Sequence, residues 1–367
     1  MSDPALADWL RLTLIPGIGG ERQRRLLSAF GLPERIFHAG HAALAAIIGD
    51  KPARSLRDHD VQPAIDAALA WADAPDNHIL TLADADYPQA LLDTADPPTL
   101  LYVKGRRACL NRPALAIVGS RSATPQGEAN ATAFARTLAE QGLVIVSGLA
   151  LGIDAAAHEG ALAADGQTIA VIGTGADRMY PARNRELAQR ILARGAIVSE
   201  FALGTPAAAH NFPRRNRIIA GLSRGVLVVE AALGSGSLIT ARLSNEQGRE
   251  VFAIPGSIHS PHAKGCHHLI REGAKLVETA QDILEENAFA TLTRAGTSPP
   301  PDGDETPAAD IDDDAKRLLD AIGHDPVNID TLASRTGLTP DALYAMLLPM
   351  ELDGLLARLP GGRFQRL

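Results

Sequence analysis

Short apolar runs alternate with amphipathic stretches through the middle of the chain. Leu115–Val118, Val144–Val146, Thr168–Ile172, Ala196–Val198, Val226–Val229 and Val251–Ile254 are rich in Val and Ile. Each is flanked by Gly, Ser or Pro, which is the pattern of strands buried on both faces. Between them, Gln126–Gln141, Ile153–Ala164, Arg183–Ala193, Arg214–Leu222 and Ser237–Gln247 have helical apolar spacing and enough length for right-handed crossovers. The alternation predicts an α/β fold: an extended Rossmann-like, doubly wound sheet over residues 76–288. Its first part, Ile79–Lys104, carries Tyr87-Pro88 and Pro97-Pro98 and reads as an irregular extension with one or two added strands.

The pattern differs at both ends. Residues 1–75 place Leu6, Trp9, Leu10 and Leu14 at helical spacing, then Pro16-Gly17-Ile18-Gly19-Gly20, then the helical stretch Glu21–Phe30. This predicts a helical domain of SAM or helix-hairpin-helix type, whose turn either offers amides to a phosphate or simply joins two helices. Residues 289–310 have no apolar period and read as a flexible acidic linker. Residues 311–367 predict a winged-helix domain: helices at Ala315–Ile322, Ile329–Thr336 and Pro340–Gly354, then a two-stranded wing. Its recognition-helix position, Pro340–Gly354, holds no Lys or Arg, so protein contact or plain packing competes with duplex reading.

Charge changes the picture only once its distribution is read. A net charge of −8 argues against a phosphate-binding surface. Seven acids and no base lie between Asp302 and Asp314, however, so the rest of the chain is close to neutral and leaves room for a local basic groove. Cys109 and Cys266 make no disulfide framework, and no N-terminal stretch reads as a signal peptide. No apolar run reaches the roughly 18 to 20 residues of a membrane span. These readings predict a cytoplasmic protein without membrane insertion.

Ligands of such sheets gather where the strands end. After the first buried run comes Gly119-Ser120-Arg121-Ser122, a small turn with a hydroxyl and an arginine, suited to a phosphate. It is neither a dinucleotide fingerprint nor a P-loop. Ser147, Asp154 and His158 suggest a triad, but the last two sit at i and i+4 and read as a surface or capping pair. The segment Arg178–Arg185 either supplies phosphate contacts and a stacking face at Tyr180, or packs a loop with solvated arginines. In His210–Gly221, Pro213 opens a helix around whose first turn Arg214, Arg215 and Arg217 are expected to project toward an anion. Gly234–Ser237 allows close backbone approach. His259, His262, Cys266, His267 and His268 crowd one loop, yet their spacing fits no standard ligand pair, so no metal is expected.

The strings AIVGSR (116–121), SGLALGIDAAAH (147–158), FPRRNRIIAGLS (212–223), VVEAALGSGSLITA (228–241) and VFAIPG…GCHHLI (251–270) resemble the DNA-processing protein A family, also called DprA or Smf. The resemblance implies a cytosolic protein that binds incoming single-stranded DNA during natural transformation. It further implies that the protein protects the strand, loads RecA recombinase onto it and acts as a homodimer, with no covalent chemistry and no cofactor. The DNA-contacting positions it implies are Ser120 and Arg121, Arg183 and Asn184, Arg214, Arg215, Asn216 and Arg217, and Gly236 and Ser237. The rival is a nucleotide phosphoribohydrolase on a similar sheet. Its P-G-G-x-G-T-x-x-E signature is missing, and Glu230, the nearest acid, precedes the glycine-rich turn instead of following it.

Overall fold

Val, Ile and Ala dominate the central runs because those positions face helices on both sides of one sheet. The computed structural model describes residues 4–289, 313–323, 325–359 and 361–366. Apart from Phe289, the expected acidic linker lies outside the described residues.

The N-terminal part is six helices: α1 Pro4–Leu14, α2 Gly20–Phe30, α3 Pro33–His38, α4 His41–Ile48, α5 Asp50–Asp58 and α6 Gln62–Ala72. Leu12, Ile15, Leu26, Ile36 and Leu44 form its core. A second apolar cluster sets Trp9 and Leu10 of α1 and Ile65 of α6 against Leu100 and Tyr102, which joins these helices to the sheet.

The extension contributes two strands, β1 (Asn77–Thr81) and β2 (Leu100–Gly105), paired antiparallel, with the short α7 (Gln89–Leu92) between them. There follow β3 (Ala114–Val118), α8 (Pro125–Glu140), β4 (Val144–Ser147), α9 (Ile153–Ala163), β5 (Thr168–Val171), α10 (Arg185–Arg194) and β6 (Ala196–Ser199). The second half is α11 (Asn211–Leu222), β7 (Gly225–Val228), α12 (Gly236–Glu246), β8 (Glu250–Ala253), α13 (Lys264–Arg271), β9 (Lys275–Leu276) and α14 (Ala280–Leu284). The nine strands lie in the order β1-β2-β6-β5-β4-β3-β7-β8-β9. From β6 to β9 all neighbours are parallel, and β2 meets β6 antiparallel. The chain starts at β3, moves outward through β4, β5 and β6, and returns to the other side of β3 as β7. That reversal opens a crevice at the carboxyl ends of β3 and β7.

The helices divide between the faces: Phe134, Leu138 and Ile153 from α8 and α9 pack on one, Ile218, Ile219 and Ala241 from α11 and α12 on the other. The C-terminal module comprises α15 (Asp313–Ile322), β10 (Val327–Asn328), α16 (Ile329–Thr336), α17 (Pro340–Leu352), β11 (Leu356–Leu359) and β12 (Arg363–Arg366). Its sheet has three strands, not two, because Val327 and Asn328 pair with β12. Among the described residues, no helix is long and apolar enough to cross a membrane.

Helices α8 and α9 touch most closely at Gly160, where a Cβ atom would overlap the Thr132 carbonyl. Gly160→Ala should therefore push the two helices apart and cost about 1–3 kcal/mol. Urea denaturation read by circular dichroism checks this; an unchanged midpoint would show that the contact yields freely.

Candidate functional site

The crevice at the strand ends is a cleft of about 740 Å³. Ser120 and Arg121, from the turn after β3, form one wall. The residues that open α12, Gly234 to Ser237, form another. Ser235 caps α12 through its side chain, which accepts from the Ser237 amide at 3.3 Å. The first turn of α11 supplies Phe212, Pro213, Arg215 and Asn216. Arg121 is exposed, and its guanidinium sits 5.0 Å over the Phe212 ring, which holds the cation at the rim by a cation–π contact. Tyr180 stands 5.9 Å from the same ring and is 49% exposed, so it presents an accessible aromatic face and does not merely pack its loop.

The three arginines of α11 do not project together. The helix starts at Asn211, earlier than the proline suggests, and 100° per residue then separates them. Arg215 and Asn216 turn into the cleft, while Arg214 and Arg217 line a second cavity of about 650 Å³ against the N-terminal helices. Arg215 corrects the expectation of a projecting cation, being only 3% exposed. Its Nη1 donates to the Val171 carbonyl at 2.5 Å, and the guanidinium lies against Gly148, where any Cβ would overlap it. Burial lowers its pKa to about 10, with the Asp154 carboxylate opposing that shift and Arg121 adding to it, so it stays charged at neutral pH. Arg217 is half-buried: it ion-pairs with Glu200, donates to the Asp96 carbonyl at 2.7 Å and meets the Asp96 carboxylate at 3.2 Å. Asp96 also pairs with Arg24 of α2. Arg214 is exposed, with its guanidinium 5.3 Å over the Phe201 ring.

The remaining predicted residues divide likewise. Ser120, Asn216, Gly236 and Ser237 line the cleft, with Asn216 Nδ2 donating to the Gly236 carbonyl at 3.2 Å. Arg183 is exposed on a tight 3-10 turn, Ala182–Asn184, and does not line the cleft. Asn184 is buried, donating to the carbonyls of Leu149 at 2.9 Å and Ala150 at 3.1 Å, so it holds the loop beside the cleft. Glu230 closes off the N-terminus of α8: its carboxylate accepts from the Thr124 hydroxyl at 2.6 Å and the Thr124 amide at 3.0 Å. Cys266, His267 and His268 belong to α13 and not to a loop. Among the described residues no cluster of three or more His, Cys, Asp or Glu could hold a metal. The sequence reading missed Phe212, Asp96 and Glu200. Phe212 stood beside the arginine string, but nothing local marks the two acids that meet Arg217.

The chain matches the family model of DNA recombination-mediator protein A over residues 78–288 and that of the DprA winged helix domain over residues 299–362. Protein Smf of Escherichia coli is 40% identical over 365 residues, covering 96% of this chain and 94% of its own. DNA processing protein DprA of Streptococcus pneumoniae is 50% identical over 209 residues, which cover 57% of this chain and 74% of its own. The X-ray structure of the Streptococcus pneumoniae protein superposes with a TM-score of 0.68 at 40% identity, covering 78% of this chain and 99% of that one. DNA processing protein A from Helicobacter pylori, whose structure concerns its single-stranded DNA binding mode, gives a TM-score of 0.52 at 33% identity, covering 59% and 96%.

Asp154, which lines the cleft, and His158, which does not, are both buried and do not form the expected surface pair. Asp154 accepts from the Gly148 and Ala150 amides at 3.1 and 3.4 Å; burial pushes its carboxyl up, and Arg215 and these bonds pull it back. Ser147 is spent on the Ile117 carbonyl at 2.6 Å. The Thr168 hydroxyl donates to the Ile145 carbonyl, so His158 Nδ1 must carry the proton it gives to Thr168 Oγ1 at 2.7 Å. Burial, aided by Arg215, lowers His158 from 6.5 to about 3. Below pH 6.5 the unfolded chain takes up a proton that the folded chain refuses, so this residue makes stability drop as pH is lowered, by up to about 1.4 kcal/mol per unit. His158→Gln should flatten the stability profile between about pH 6 and 4 relative to the parent; parallel profiles would remove His158 as the titrating group.

Proposed function

The chain belongs to the DNA recombination-mediator protein A family, and from that premise we propose that it binds single-stranded DNA along the cleft between β3 and β7. The finer reading is that it protects incoming DNA during natural transformation and loads RecA recombinase onto it as a homodimer, without covalent chemistry. The observation that carries DNA binding is the charge layout of the cleft. Arg121 has no carboxylate partner among the described residues and stands at the rim, while the buried Arg215 stays charged beside Asp154, which also lines the cleft. The exposed guanidinium at the rim and the N-terminal end of α12 suit an anion, and Phe212 and Tyr180 suit unpaired bases, which stack without regard to sequence.

The five cations play different parts. Arg121 and Arg214 meet phosphate directly, with Arg183 farther along. Arg215 and Arg217 act from within by fixing α11, Arg215 against Gly148 and Val171, Arg217 against Asp96 and Glu200. The phosphoribohydrolase reading is disfavoured because Glu230, its candidate acid, has both oxygens engaged at the N-terminal end of α8.

Fluorescence anisotropy with labelled oligonucleotides across a salt series tests this. Affinity should fall with a log–log slope of about −2 to −4, and Arg121→Ala or Arg214→Ala should weaken every sequence alike while reducing the slope by about 0.7. Normal binding by both variants would refute the site. The positioning role makes a prediction of opposite sign to simple electrostatics. Removing a carboxylate near bound DNA ordinarily raises affinity, yet Asp96→Ala should lower it by releasing Arg217. Tighter binding by Asp96→Ala would make Arg217 a direct contact.

A further inference from the structure

Helix α17 stands where a winged helix usually reads DNA, and its outward face is almost entirely apolar. Leu343, Leu347 and Met350 turn inward to the core of the module. The side left outside carries Tyr344, Leu348 and Leu352, 42%, 59% and 80% exposed, with Ala345 and Pro349 between them. Leu338, just before the helix, is exposed as well. Of the ten large hydrophobic side chains exposed among the described residues, four therefore fall within this one short stretch. Scattered surface leucines need no explanation, but a cluster on one helix face marks a place where something else docks.

The charges around the stripe select the occupant. Residues 340–354 contain Asp341, Glu351 and Asp353 and no Lys or Arg, while the described cations of the module lie on its other elements: Lys316 and Arg317 on α15, Arg335 on α16, and Arg358, Arg363 and Arg366 on the strands. A helix without cations has nothing to set against phosphates, which excludes a duplex on this face. A second copy of the helix would bring only like charges together. The chain's own 302–314 stretch is acidic too. We infer that the outward face of α17 is a docking surface for a helical segment of another protein, one with an apolar stripe at i, i+4, i+8 flanked by Lys and Arg. The three side chains span about 12 Å along the axis, so two to three turns of such a helix cover them.

The test uses the full chain and two fluorescent 18-residue helical peptides with the same leucine stripe, one with a Lys and Arg polar face and one with Glu in their place. The basic peptide should bind and the acidic one should not. Leu348→Asp should weaken the basic peptide at least tenfold, and Leu348→Met should not. The aspartate makes the surface more negative, so non-specific attraction predicts equal or tighter binding, and that result would overturn the proposal. Leu352→Ser, at the most exposed position, serves in place of Leu348→Asp if thermal melting shows that variant to be misfolded. Equal binding of the two peptides would also overturn it. So would self-association of the parent, seen by sedimentation, that Leu348→Asp abolishes, since that assigns the face to a second copy. Arg121→Ala should leave peptide binding unchanged, which keeps this outcome separate from that of the DNA cleft.

Discussion

A guanidinium with 3% of its surface exposed must find its acceptors and its counter-charge inside the protein, and much of the cleft is arranged around meeting that demand for Arg215. The Val171 carbonyl at the end of β5 accepts from it, and the Asp154 carboxylate opposes its loss of charge. Gly148 leaves the space it fills. Asp154 in turn holds the amides of the 148–150 loop, and the next turn of that loop donates from Ile153 to the Ser120 carbonyl. The wall that carries Arg121 is thus fixed, through a short chain of bonds, by a charge that solvent scarcely touches. Truncating Arg215 would leave Asp154 buried without its cation, held only by hydrogen bonds, so damage to binding and damage to the fold would arrive together.

The sheet was legible because its strands are buried on both faces, which turns β-structure into unbroken apolar runs. The positions of the glycines and arginines at strand ends were legible for the same reason, since ligand residues must follow the strands. The direction in which each arginine points was not. Pro213 suggested a helix beginning at Arg214, whereas α11 begins at Asn211, and the face a residue occupies depends on the whole set of contacts that lock the helix in place. The bonds from Arg217 to Asp96 span 121 positions and leave no local trace. The third strand of the winged module and β9 are each two residues long, too short for any period to register. Asp154 and His158 looked like a surface pair because spacing reports proximity along a helix and not depth.

Glu230 shows how an acid at a strand end can be taken up by the scaffold. An acid at the end of β7, facing a glycine-rich turn, has the position from which a hydrolytic site could be built. Here it is fastened to Thr124, where it satisfies the first turn of α8 and joins that helix to the neighbouring strand. With both oxygens engaged, this side chain closes that helix end to other anions.

The division of α11 has a consequence for ligand length. Its first turn lies between two cavities, with Pro213 in the wall of both, Arg215 on one side and Arg214 on the other. A helix with its side chains is about 10–12 Å across. A lone nucleotide on the proposed path reaches one side only, whereas a short strand straddles the turn and makes the second engagement intramolecular. On that path affinity would climb steeply over the first few nucleotides and flatten after that, so the helix would act as a ruler of strand length.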